Sequence, residues 1–411
     1  MGRVRQAAAF TRDIYRTRAL VAWHGRLRRD PVALLQLGPG RDDPYPLYER
    51  VRSAGPLVPT PLGNWASAGH AICSEVLRDR RYGVRMPDDP PPQDGFDLSF
   101  LELDPPDHTR LRRLAAPAFS PRSVAGYRSL VETTVQDLLD RAERQGGFDL
   151  VSALAEPLPV AVISDLLGIP PGERPALVEH GHVVVSALDG IRSPGHAGDL
   201  LRSTRALESM FERLVSLRRT DPGEDVVSTL LHNEDRLSPH ELVSMCSLLL
   251  VAGFETTVNL IGNGVCALLS HPEQWRLLCE QPERAADAVE EVLRFDPPVQ
   301  RTARVAHETT ELAGRPVRRG QPVLLLLGGA NRDPDVFDAP QRFDITRDQT
   351  VEHLAFSSGQ HYCLGAPLAR MEGEIALRVL AERMPGLRQT GPPVLREGRT
   401  IRGPRRLPVA G

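Results

Sequence analysis

The chain contains no lysine. All 50 of its basic residues are arginine, set against 53 acids, for a formal net charge of -3 over 411 residues. That balance leaves no large basic field for nucleic acid, whose binding rests on clustered positive charge. Cysteine is scarce as well. Cys73, Cys246, Cys266, Cys279 and Cys363 are odd in number and follow no spacing pattern, so no disulfide framework is expected and a reducing cytoplasm fits. Long apolar runs are missing: residues 248–254 are cut short by Glu255, and the first segment scatters Arg3, Arg5, Arg12, Arg16 and Arg18 with no apolar core. Neither a signal peptide nor a membrane anchor is expected. No G-x-G-x-x-G strand–helix unit stands out, so no dinucleotide site is expected within the chain.

What is present is a chain with 41% hydrophobic residues, enough to bury a large core without metals or cross-links. Its 37 prolines are mostly scattered. Where Pro87, Pro90, Pro91 and Pro92 crowd into 86–95, only a loop survives. Short helices are expected at 46–54 and 68–78. Another should begin at Asp107, an acid that caps readily after Pro105-Pro106. From 123 to 293 the pattern is helix after helix, broken at 168–172, 193–195 and 222–223. One helix is exceptional. Ser238-Pro239-His240-Glu241 reads as a capping box with proline at the first helical position, and His271-Pro272 ends it. At about 30 residues it spans about 45 Å, and it is apolar on most sides, so it should be buried. Strand-like stretches at 299–306, 311–317 and 322–327 would form a small sheet. The expectation is mainly α with a minor β portion: a helical N-terminal extension over 1–40 and one domain over 41–411.

Four constellations carry chemistry. The first is Phe356-Ser357-Ser358-Gly359-Gln360-His361-Tyr362-Cys363-Leu364-Gly365-Ala366-Pro367-Leu368-Ala369-Arg370, a cysteine between glycines at the start of a helical stretch. A helix N-terminus lowers a thiol's pKa, and glycine lets backbone approach a flat ligand. A buried inert cysteine is the plain alternative. Zinc fits poorly, because His361 and Cys363 leave two ligands missing. The second is Ala252-Gly253-Phe254-Glu255-Thr256-Thr257, mid-way along the long helix, where glycine and threonine are poor helix formers. An acid beside a hydroxyl can relay protons at a loosened turn; a threonine bonded back to its own helix is the alternative. The third is Glu291-Val292-Leu293-Arg294, a pair on one helix face of a kind usually found at surfaces. The fourth joins His108 and Arg112, four apart on one helix, with Arg304 further on; a solvated basic patch is the alternative.

In this order the four segments resemble the cytochrome P450 family over roughly residues 40–405. The first is similar to that family's haem loop, F-x-x-G-x-H/R-x-C-x-G, and departs from it only at Ser357, where glycine is frequent. The resemblance implies the α-rich triangular prism and haem b, with Cys363 as axial iron ligand and Phe356 and Gly365 beside it. His361, His108, Arg112 and Arg304 become partners of the haem propionates. Ala252-Gly253 and Thr256 form the dioxygen site, with Glu255 supplying protons. Glu291 and Arg294, with Arg342 in Pro340-Gln341-Arg342-Phe343, become a structural lock.

The substrate is placed under 84–103, including Phe96, Leu98 and Phe100, and against 173–200 and 299–303. Val299 belongs to that last wall. Arg301 departs from the usual apolar residue there and would meet either a polar substrate group or a protein acid. His180, His182 and Asp189 are either polar contacts or solvated. Only 48 residues (411 − 363) follow Cys363, too few for a flavin or iron–sulfur domain, so electrons are expected from NAD(P)H through a ferredoxin reductase and a ferredoxin. The ferredoxin would dock near Arg110, Arg113 and Arg370. The implied activity is a cytoplasmic, monomeric, haem-thiolate monooxygenase that hydroxylates or epoxidises a medium-to-large apolar molecule, as secondary-metabolite enzymes do. The rivals are an oxidative coupling enzyme of the same family, a peroxide-driven one and a non-enzymatic haem sensor.

Overall fold

The capping box forms as the sequence dictates. Ser238 Oγ accepts the Glu241 N–H and Glu241 Oε2 accepts the Ser238 N–H at 2.8 Å, opening a helix that runs unbroken through Pro239–Ser270, 32 residues. The computed structural model describes residues 2–89, 98–144, 146–232 and 236–411, with backbone alone at 2–10 and 39. The long helix packs against Pro157–Leu167, Arg174–Val185, Pro194–Thr220 and Ala366–Arg383, and the main apolar core gathers around it. Each Leu, Val or Phe fully buried there contributes about 1.5–3 kcal/mol. By length and composition this helix alone, among the described residues, could cross a membrane, yet 78% of its most apolar window is buried inside the protein.

At 252–257 the helix continues without a break. Thr256 and Thr257 donate to the Ala252 and Gly253 carbonyls at 2.9 and 3.2 Å, the local bonding that lets threonine sit in a helix. Gly253 is there for packing: a Cβ would lie 2.8 Å from Ile163 Cδ1, so the two helices touch backbone to side chain.

The sheet is built partly from different segments than the sequence suggested. Five short strands run in the order Val58–Pro59, Trp65–Ser67, Pro322–Leu325, Thr302–Ala306, Tyr82–Gly83. The strand expected from 299 starts at Thr302, and Val299 makes only an isolated bridge to Ile401. The segment 311–317 folds away as its own hairpin, Thr310–Leu312 with Arg315–Val317. Ala313 and Gly314 both take positive φ (48° and 71°), the geometry of a tight primed turn. The helix expected to be capped by Asp107 is Asp107–Ala115, and Pro106 holds the cap position. Asp107 instead opens the first turn and accepts from Arg110, where a carboxylate suits the helix dipole.

The N-terminal segment is helical over Gly2–Arg26, Pro31–Leu34 and Gly38–Asp42. Val32 and Leu35 are buried with Leu47, Tyr48 and Val51, so the end of that segment belongs to the packed body. Much of the proline-rich loop, Phe96 included, lies outside the described residues.

Candidate functional site

Cys363 sits immediately before the helix Ala366–Arg383, and its N–H donates to the Phe356 carbonyl at 2.9 Å. Two left-handed residues shape the loop, Ser357 (φ 63°) and Gly359 (φ 67°). At 359 a Cβ would stand 2.3 Å from the Leu77 carbonyl oxygen, so only glycine lets the loop press against the helix His70–Arg78. Ser357, the one departure from the family pattern, accepts the strain that glycine would avoid. Cys363 keeps accessible surface, although the thiol is densely surrounded. Burial pushes its pKa up, while the Gly365 and Ala366 N–H groups and the Arg112 and Arg370 charges pull it down. Both facts hold if the free surface opens onto an interior face and not onto bulk water. Ala252 is the counterpart on the long helix, exposed among neighbours that are mostly buried.

Two arginines and two histidines converge around this face, with a single acid, Asp104, acting on them. His108 is 2% exposed, and neither ring nitrogen has a hydrogen-bond partner. Burial first, then the charges of His361 and Arg112, push its pKa down to about 4. Its ring stands 4.2 Å from that of His361, whose Nε2 is also unpartnered. Arg112 donates to the Tyr362 carbonyl at 2.6 Å. Arg304 donates to the Ala303 carbonyl and to Thr302 and Ser357 hydroxyls, and burial pulls it down to about 10. The nearest acid, Asp104, accepts from the Val84 and Arg85 N–H groups at 3.0 and 3.2 Å and stands 4.0 Å from His361, beyond hydrogen-bond reach. Buried donors and cations left this short of partners fit a ligand that brings its own anions. Haem b, planar and with two propionates, fits that demand and the thiol beside it.

Glu255 lies in a network that the sequence did not reveal. It is 4% exposed. Its Oε2 is 2.6 Å from His182 Nδ1, and its Oε1 is 2.9 Å from Arg396 Nη1. His182 Nε2 is 2.8 Å from Glu156 Oε1, whose side chain is 28% exposed. Burial lowers the His182 pKa, but hydrogen bonds to Glu156 and Glu255 outweigh it and lift the imidazole to about 9. A proton-holding bridge thus links a partly solvated acid to a buried one, the residue that precedes Thr256 in the long helix. Arg396 is held in turn by Asn259, whose side-chain amide donates to the Glu255 carbonyl.

The lock differs from expectation at one member. Arg294 donates to Glu291 at 2.7 and 2.8 Å and to the Asn331, Pro340 and Arg342 carbonyls, with both side chains buried. Arg342 supplies only that carbonyl. Its guanidinium is 68% exposed and pairs with Asp344. The third charge is Arg347, 3.2 Å from Glu291; nothing in the local spacing marks it.

The expected docking arginines also divide. Arg113 is exposed, Arg110 is engaged with Asp107 and Glu241, and Arg370 is bound to Glu290 and Tyr362. Among the expected pocket residues, Leu98 and Phe100 are buried in the main core, with the Phe100 ring 6.3 Å from His108. Val299 is half-buried against that core. Arg301 is buried and lies 3.6 Å from a protein acid, Asp189. His180 faces Ser203 at 3.3 Å, away from Glu255.

Comparison with known proteins agrees with this geometry. The sequence profile described as Cytochrome P450 matches residues 285–383. Cytochrome P450 monooxygenase PikC of Streptomyces venezuelae is 40% identical, over 89% of this chain and 91% of its own length. Biotin biosynthesis cytochrome P450 of Bacillus subtilis is 38% identical, over 84% of this chain and 90% of its own. The solved structure of P450BioI, in complex with an acyl carrier protein bearing hexadec-9Z-enoic acid, superposes with a TM-score of 0.87 at 37% identity, covering 91% of this chain and 100% of that one.

Proposed function

The chain belongs to the cytochrome P450 family, and from that premise we propose that it is a ferredoxin-driven monooxygenase that hydroxylates or epoxidises a medium-to-large apolar molecule in secondary-metabolite biosynthesis. As an oxidoreductase of this family it binds haem b and draws electrons from NAD(P)H through redox partners. When bound, the haem supplies oxygen activation, favoured by electron density from a thiolate ligand; the protein supplies ligand, proton route and pocket.

Cys363 is that ligand. The Gly365 and Ala366 N–H groups and the two nearby guanidinium groups favour its ionised form against burial. His108, Arg112, Arg304 and His361 would hold the propionates, which would relieve the unpartnered His108 and His361 nitrogens. The observation that carries the proposal is Glu255, buried beside Thr256 and bridged to Glu156 by His182. Monooxygenation consumes two protons for each oxygen atom inserted, and a closed site must import them. His182 keeps a proton one hydrogen bond from Glu255 Oε2, and Glu255 directly precedes Thr256 in the long helix. A peroxide-driven enzyme, whose oxidant arrives with its protons, has no use for that bridge. Exposed Arg113 supports docking of an acidic ferredoxin on the Cys363 side, and the bacterial relatives favour a cytoplasmic location.

The test is turnover with NAD(P)H, a ferredoxin–reductase pair and isotopically labelled dioxygen. We expect one labelled atom in the organic product, with electrons consumed in proportion. Product formed equally well from hydrogen peroxide without redox partners, and carrying no label from dioxygen, would overturn the proposal.

A further inference from the structure

Outside the haem face, one cluster carries more positive charge than the fold uses. Arg301 is 8% exposed, and its only polar contacts are long: Nε to the Thr400 hydroxyl at 3.3 Å and Nη2 to Asp189 at 3.6 Å. Its Nη1 is buried with no partner. Asp189 is shared with other donors: its oxygens also accept the backbone N–H groups of Arg399 (2.8 Å) and Thr400 (2.7 Å). Around Arg301 stand further guanidinium groups. Arg399 is half-buried, and burial together with repulsion from Arg301, Arg192 and Arg18 holds its pKa below the usual arginine range. Arg18 donates to the Arg192 carbonyl at 2.8 Å, which brings the N-terminal helix onto this corner. Four arginines therefore share two acids, Asp189 and the exposed Glu397, itself 3.7 Å from Arg192.

An unpartnered buried guanidinium N–H is costly, and four like charges repel one another. Neither is expected of a purely structural corner. The corner's residues also lie close along the chain to those at the haem face. Arg301 shortly precedes Arg304, Thr400 shortly follows Arg396 at Glu255, and Asp189 lies just beyond the helix Arg174–Val185 that carries His182. Leu188 and Ile191, 39% and 41% exposed, flank Asp189 and Arg192 with apolar surface.

We propose that Arg301 and Arg399, with Arg192 and Arg18 at the rim, form an oxyanion site that selects an amphipathic, singly charged substrate: an apolar body carrying a carboxylate, or a phosphodiester at the end of a carrier arm. This deepens the proposed function and rests on it. Because Arg301 Nη1 has no accessible surface, the anion reaches it as the Leu188–Arg192 and 397–400 segments part. Arg192 and Arg399 then act as outer steps. The oxyanion takes the donors that Asp189 leaves unfilled.

The experiment uses the haem-loaded enzyme and calorimetric titration with three probes of one acyl length: dodecanoic acid, its methyl ester and the methyl phosphodiester of dodecanoyl phosphopantetheine. Arg301→Gln, Arg399→Gln and Arg301→Lys variants are compared with the parent. Charge-assisted hydrogen bonds at this site should favour an anionic probe over the ester by about tenfold to a hundredfold. The preference should be lost in both Gln variants, partly kept in Arg301→Lys, and ester binding should be unchanged. Preference for the acid identifies a free carboxylate, and preference for the phosphopantetheine probe alone identifies a carrier-borne phosphate; either supports the site. Equal binding of all three probes to the parent, or an anion preference that survives both Gln variants, overturns it. The reduced carbonyl spectrum of each variant reports separately whether haem and thiolate are intact, so failure here is distinct from failure of the monooxygenase assignment.

Discussion

Replacing Glu255 with Gln is expected to lower product formation by about a hundredfold, the scale of a lost general acid, while NAD(P)H consumption falls far less and the surplus electrons appear as hydrogen peroxide. Gln keeps the size of the side chain but holds no transferable proton, and the acid it replaces is buried between His182 and Arg396. Replacing His182 with Asn should reproduce the uncoupling more weakly, because Glu255 then loses its link to Glu156. A pH profile separates proton delivery from mere positioning. The groups facing His182 are Glu156 and Glu255, with the Arg396 charge opposing them, and the imidazole titrates at about 9. It is protonated below that value, so coupling should hold from neutral pH upward and fall as pH rises through about 9. In the Asn variant that step should vanish. The folded pKa is raised, so the charged imidazole stabilises the fold fully below the ordinary histidine range, and that contribution fades as pH climbs through about 9. Unchanged coupling and an unchanged pH step in the Asn variant would remove His182 from the proton route.

Arg294→Ala is expected to cost about 3–5 kcal/mol, the usual penalty for leaving one partner of a buried ion pair uncompensated. That is a large part of the roughly 5–15 kcal/mol that holds a protein folded. Glu291, 1% exposed, would keep only Arg347 and the Asp344 N–H, and the Asn331, Pro340 and Arg342 carbonyls would each lose a donor. Denaturant titration should show a much lower midpoint, and the purified variant should be poor in haem. Arg342→Ala is the contrasting case. Its role is carried by the backbone and its guanidinium is mostly exposed, so its cost should stay within about 0.5 kcal/mol, as for other surface changes. Arg347→Ala should fall between the two. Equal damage from Arg294→Ala and Arg342→Ala would mean that the charge network is misassigned.

Those contrasts mark what the residues alone could and could not disclose. Cys363 with its glycines, Glu255-Thr256, and Glu291 with Arg294 were legible only through their resemblance to family motifs, since spacing alone left an inert cysteine, a threonine bonded to its own helix and a surface pair open. The long helix was legible because its cap, proline and stop lie within a few residues of its ends. Arg347 and Arg396 were not, and His182 and Asp189 stood only as polar contacts or solvated groups, because each acts on a group far away in the chain and no local signal encodes such a contact. Gly253 misled for a related reason. It reads as a weak point in a helix, whereas its missing side chain admits Ile163 from a neighbouring helix. The 311–317 stretch read as strand from composition, but its turn at Ala313-Gly314 folds it on itself.

The account stands on Cys363 as the sole thiolate at the haem face, and one spectrum tests it. The reduced, carbon monoxide-bound enzyme should show the strongly red-shifted band of thiolate-ligated haem, and Cys363→Ser should abolish it. A band of the histidine-ligated kind in intact enzyme, unaltered by Cys363→Ser, would contradict it.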